Sequence, residues 1–78
     1  MAVKAYVLIQ TDVGKSAHVS TQVARLEGVI SALDVTGPYD VIVRVEADSM
    51  HDLGKMVVSR LQLTDGVTRP LTCPIVEL

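Results

Sequence analysis

Apolar and polar residues alternate over positions 3–10, with Val3, Ala5, Val7 and Ile9 on one side and Lys4, Tyr6, Leu8 and Gln10 on the other. A period of two is that of a strand. From about position 14 to 26 the apolar spacing lengthens to Val19, Val23 and Leu26, which is one buried stripe of a helix, and Gly28 marks its end. Alternation returns over 29–35, is broken by Thr-Gly-Pro-Tyr-Asp at 36–40, and resumes with Val41, Val43, Val45 and Ala47 on one face of a third strand. Two strands around such a turn predict a hairpin. Asp48 is placed to cap a second helix with the stripe Met50, Leu53, Met56, Val57 and Leu61. Thr64-Asp65-Gly66 then turns the chain into a last strand, which Pro70 and Pro74 assign to a sheet edge because proline has no N–H for the ladder.

The order is β-α-β-β-α-β. Its halves echo one another, with Gly28-Val29 and Gly66-Val67 in matching places after the two helices. This predicts an α+β fold: a ferredoxin-like βαββαβ sandwich, an antiparallel four-stranded sheet with both helices on one face, over a single domain spanning 1–78. If the helices cover Val3, Ala5, Val7, Ile9, Val41, Val43 and Val45, then Tyr6, Leu8, Ile30, Ala32 and Ile42 point the other way. That face also carries Lys4, Asp34, Arg44 and Glu46. An apolar centre rimmed by charge is the composition of a contact between sheet faces, so these five residues are the expected dimer interface of a dimeric α+β barrel.

Composition points the same way. Of 78 residues 49% are hydrophobic, with no Phe or Trp, and a lone core of this size supplies only ~3–5 kcal/mol unless a disulfide, a metal or self-association adds to it. Cys73 is the single cysteine, and His18 and His51 lack cysteine partners at any metal-ligand spacing, which excludes an internal bridge and argues against a metal site. Association remains. A net charge of −2 with seven scattered Lys and Arg offers no basic stripe for nucleic acid. The N-terminal apolar run is too short for a signal peptide, no stretch is long enough to cross a membrane, and a cytoplasmic setting is expected.

No nucleophile and base can be assembled. His18 and His51 read as surface residues, Ser16 and Ser49 as helix caps, and Cys73 as a small core hydrophobe in register with Leu71 and Ile75. Thr-Asp-Val-Gly-Lys-Ser at 11–16 lacks the first glycine of a phosphate loop. The turn at 36–40 has a plain structural reading, in which Gly permits positive φ, Pro presets φ and Asp closes the bend. It also has the parts to hold a small zwitterion: Asp40 for an ammonium group, and turn amides with a nearby threonine for a carboxylate.

The run VTGPYDVIVRVEADSMHDL followed by DGVTRPLTCPIVEL resembles the effector-binding (RAM) domain of the Lrp/AsnC, or feast/famine, transcription regulators. Its most specific part is the Gly-x-x-Asp turn, Gly37 to Asp40, before a Val-rich strand and a helix; a second is the Gly66-Val67 entry into the last strand. The resemblance implies dimers through sheet faces, rings of dimers such as octamers, and amino-acid effectors held between dimers. It implies Gly37, Tyr39, Asp40 and Thr72 as ligand-binding residues, with Pro70 standing where the first threonine of a Thr-x-Thr pattern is usual. Family members carry a helix-turn-helix domain ahead of this one, whereas here a strand begins within a few residues of Met1. The expectation is a stand-alone form without its own DNA reader, needing no cofactor, which senses amino acids or joins full-length relatives. The rivals are a small enzyme of the dimeric α+β barrel type, monooxygenase- or isomerase-like, with His, Asn, Trp or Tyr lining a cavity between sheet and helices, and a purely structural oligomer.

Overall fold

The computed structural model describes residues 2–76. Strand β1 (Val3–Thr11) leads to helix α1 (Ser16–Val23), then β2 (Val29–Asp34), β3 (Val41–Ala47), helix α2 (Met50–Met56) continued by a π-helical turn (Val57–Leu61), and β4 (Val67–Pro74). The sheet order is β2-β3-β1-β4, and every neighbouring pair is antiparallel. This is the ferredoxin-like α+β sandwich that the alternation predicts, with β4 at an edge.

The core lies between the sheet and the helices. Ala5, Val7 and Ile9 of β1 and Val41, Val43 and Val45 of β3 are fully buried against Val19 and Val23 of α1 and Leu53, Met56, Val57 and Leu61 beyond. β1 and β3 are the central strands, where one face must be continuously apolar, so their period of two is strict. Residues Leu26 and Val67 pack at the margin. The two halves also match in detail: Val29 N donates to the Leu26 carbonyl at 3.2 Å and Val67 N to the Thr64 carbonyl at 3.1 Å, each closing the turn into a strand.

Several expectations need correction. α1 ends at Val23, five residues before Gly28, because Arg25 and Leu26 donate three residues back to Gln22 and Val23 and tighten the chain out of the helix. Ser49, not Asp48, caps α2, its Oγ accepting from Asp52 N at 3.1 Å. Met50 lies off the buried stripe, 56% exposed.

The largest departure is in β2. Val29 pairs with Val45, but Ser31 pairs with Arg44, so Ile30 is an extra residue in a bulge. Beyond it the faces exchange. Ala32 stands opposite Val43 and packs against the core, and Leu33, 61% exposed, takes its place opposite Ile42. Asp34 moves with Ala32 to the helix side, where Ser16 Oγ donates to its Oδ1 at 2.8 Å. β4 is reversed too: Cys73 stands opposite Tyr6 and Leu71 opposite Leu8, both on the face away from the helices, and Cys73 is exposed. Ile75 follows them, its N donating to the Lys4 carbonyl at 2.8 Å.

Candidate ligand site at the hairpin turn

The turn between β2 and β3 is closed by Val35 N donating to the Asp40 carbonyl at 2.9 Å, and it is tied to β1 by Asp40 N donating to the Ile9 carbonyl at 2.9 Å. Gly37 has φ +120°, a conformation in which an L side chain is strained, although a Cβ there would meet nothing within 4 Å. The glycine is needed for the bend and not for room. Gln10 Nε2 donates to the Pro38 carbonyl at 3.2 Å, a second tie to β1.

Asp40 does not close its own turn, as a simple Asx bend would. Its Oδ2 accepts from Thr11 N at 2.8 Å and lies 3.3 Å from Thr11 Oγ1, so the carboxylate fastens the turn to the last residue of β1. Asp40 and Thr11 are both half-buried. Among the described residues nothing donates to Oδ1. Ser16, at the start of α1, is no cap; its hydroxyl binds Asp34 and lies 3.4 Å from the Asp40 carbonyl. Four segments thus converge here: the turn, the end of β1, the end of β2 and the start of α1.

Gly37, Tyr39 and Asp40 come together, with Tyr39 half-buried beside the exposed Gly37. Thr72 does not join them within one chain. It stands opposite Val7, four residues along β1 from Thr11, about 13 Å at the rise of a strand, and β1 separates it from β3. The hydroxyls beside Asp40 belong instead to Thr11, which sequence reasoning did not single out for this site, and Ser16, which it read as a helix cap. Register could have found Thr11: once Ile9 pairs with Val41, Gln10 and Thr11 lie beside Asp40.

The sheet face away from the helices carries Tyr6, Leu8, Ile30, Leu33, Ile42 and Leu71, of which Tyr6 and Leu71 are 42% and 40% exposed. In its midst Arg44, opposite Tyr6, has a buried Nε without a hydrogen-bond partner. On the other side, the layer where an enzyme of this architecture would place a cavity is filled by Val, Ile, Leu, Met and Ala side chains. Among the described residues no group of three or more His, Cys, Asp or Glu is placed to hold a metal ion, and no helix is long and apolar enough to cross a membrane.

Residues 4–77 match the model of the Lrp/AsnC ligand binding domain. The chain belongs to this family. Its relatives include an HTH-type transcriptional regulator of Pyrococcus furiosus, PF0250, 31% identical over 71 residues that make up 87% of this chain and 47% of that protein. The chain thus spans about half the length of the curated relatives it matches. Among solved structures, the Pyrococcus horikoshii protein PHS023 superposes with a TM-score of 0.88 at 28% identity, covering 97% of this chain and 92% of that one. The Neisseria meningitidis transcriptional regulator NMB0573, solved as an L-Met complex, has the same fold at 18% identity and a TM-score of 0.83, over 96% of this chain and 50% of its own. The same sandwich thus occurs in a solved chain that this one nearly spans and in one of about twice its length.

Proposed function

We propose that residues 1–78 act as one Lrp/AsnC-type sensing module, a non-enzymatic domain that binds an amino acid at the hairpin turn and assembles through its outer sheet face. The observation that carries the reading is the state of Asp40. One carboxylate oxygen is fixed by Thr11 and the other is left for a ligand cation, on a turn tied down from two sides. A fixed anion binds an ammonium group with less loss of freedom than a mobile one. Gly37 supplies the positive φ that the bend needs, the turn N–H groups not used within the chain meet the carboxylate, and Tyr39 covers the ligand side chain. Thr72, remote within one chain, joins the site from a neighbouring copy in a ring of dimers, where its N–H and hydroxyl meet the carboxylate. The L-Met complex of NMB0573, a protein of the same fold, supports amino acids as the ligand class.

The dimer follows from the outer face. Tyr6, Leu8, Ile30, Ile42, Leu33 and Leu71 are apolar area that a second sheet would remove from water. Such a module works in the cytoplasm and affects transcription by joining full-length relatives, not by touching DNA itself. Calorimetry with the common amino acids tests the binding. Asp40→Asn keeps an acceptor for Thr11 but loses the charge, so affinity should fall roughly tenfold while the fold holds. No heat with any amino acid, or unchanged affinity in Asp40→Asn, would leave a purely structural oligomer as the better reading.

A further inference from the structure

The solvent side of α2 and its π-helical continuation carries an open apolar groove of about 470 Å³, lined by Met50, His51, Gly54, Lys55, Val58 and Ser59. Met50 and Val58, 56% and 62% exposed, stand at its two ends, about 12 Å apart at the rise of a helix. Gly54, midway between them, is the gap. A glycine inside a helix weakens it relative to alanine, and nothing within the chain asks for one here. Gly54 is not among the glycines with positive φ, and a Cβ on it would meet nothing within 4 Å. The Ser59 hydroxyl is spent on the helix backbone, donating to the Lys55 carbonyl at 2.5 Å.

Charge decides what fits the groove. Asp52 and Lys55, both exposed, lie one turn apart on the same flank of α2. They are not spent on one another or on a neighbour: the ion pairs within 4.0 Å among the described residues join Asp65 to Lys15 and to His18. Because the acid precedes the base, a second α2 running antiparallel sets Lys55 of each copy against Asp52 of the other, on either side of a two-fold axis. The same axis passes beside Gly54. It puts Met50 of one copy by Val58 of the other and lets the two backbones approach where the side chain is missing. The face is thus complementary to itself in both shape and charge.

We propose that α2 is a second self-association surface, a two-fold antiparallel helix contact between copies of this chain centred on Gly54. It lies on the helix side of the sandwich, away from the outer sheet face. Two different two-fold contacts on opposite sides of one chain join dimers to dimers; this larger assembly, but not the α2 contact itself, rests on the sheet-face dimer proposed above. The patch is one helix wide, so copies meeting singly hold at on the order of 0.1–1 mM, and dimers that present two such faces hold more tightly.

Sedimentation from micromolar to millimolar protein reads the contact, and charge exchange isolates it. Asp52→Lys and Lys55→Asp each set like charges face to face and should weaken the association of dimers roughly threefold to tenfold. Mixed in equal amounts, the two variants should regain it, because the mixed pair restores both Lys–Asp contacts, which no role within one chain would do. Gly54→Leu should abolish the step yet melt no lower than the parent, since leucine is the better helix former. Ile42→Asp, monomeric at micromolar concentration, should still pair weakly toward millimolar, so loss of the sheet dimer and loss of the α2 contact are told apart. No such step in the parent or in Ile42→Asp, full association in Gly54→Leu, or a mixture no better than its components would overturn the proposal.

Discussion

Replacing Asp40 by alanine strips the turn of its fastening to β1. The half-buried Thr11 N–H loses a charged acceptor at 2.8 Å, while the 3.3 Å contact to Thr11 Oγ1 is long and adds little. A hydrogen bond to a charged group contributes about 1.5–3 kcal/mol, and a half-buried donor left unpaired keeps the loss near the upper part of that range. A cost of about 2–3 kcal/mol corresponds to a fall of roughly 10–20 °C in melting temperature for a domain of this size. Asp40→Asn, which retains a neutral acceptor, should lose about half as much, and Thr11→Val, which keeps the N–H, less than about 1 kcal/mol. Melting is followed by circular dichroism at one fixed protein concentration, because association links stability to concentration. If Asp40→Ala melts within a degree or two of the parent, or Thr11→Val is as damaging, the carboxylate is not what holds the turn.

Other outcomes follow from the sheet faces and the glycines. Ile42→Asp places a charge opposite Leu8 in the proposed dimer contact and should yield monomers by light scattering, since a buried unpaired charge costs several kcal/mol; Cys73, on the same face, should then react faster with a thiol reagent, and a parent protein that is already monomeric would refute both. Gly28→Ala meets Met56 Sδ at 2.8 Å at φ +90° and should lose about 2–4 kcal/mol by urea titration, whereas Gly37→Ala, strained but in open space, should lose only about 1–2 kcal/mol; equal losses would mean the two turns are not read correctly. With net charge −2 the chain alone should not retard DNA in a gel at physiological salt, and tight, salt-sensitive retardation would contradict the absence of a basic face.

The central strands were legible because burial on one face and pairing on both sides leave β1 and β3 no freedom of pattern. β2 and β4 were less so. Val-Ile-Ser-Ala-Leu-Asp at 29–34 alternates acceptably in either register, since Ser31 and Ala32 are small enough for both faces, so the bulge at Ile30 leaves no trace in composition. In β4 the alternation identifies two sets of residues but not which set the helices cover. Leu71, Cys73 and Ile75 are the more apolar set, yet at an edge the inward positions, Pro70 and Thr72, are only half-buried. The turn at 36–40 was visible from Gly37, Pro38 and Asp40. Its supports were not, because Thr11 and Ser16 lie 29 and 24 residues from Asp40 and are ordinary polar residues locally.

The prolines of β4 have a consequence for growth. Ile75 N points toward β1, so by alternation the N–H groups of residues 69, 71 and 73 point inward and positions 70, 72 and 74 face open water. Two of those three are proline, which leaves Thr72 as the outward donor of that stretch, too few to template an incoming strand. The opposite rim, β2, is kinked by its bulge at Ile30. A chain rich in valine is thereby poorly suited to zipping side by side into fibres, and the proposed assembly would cover its apolar surface by stacking one sheet face upon another.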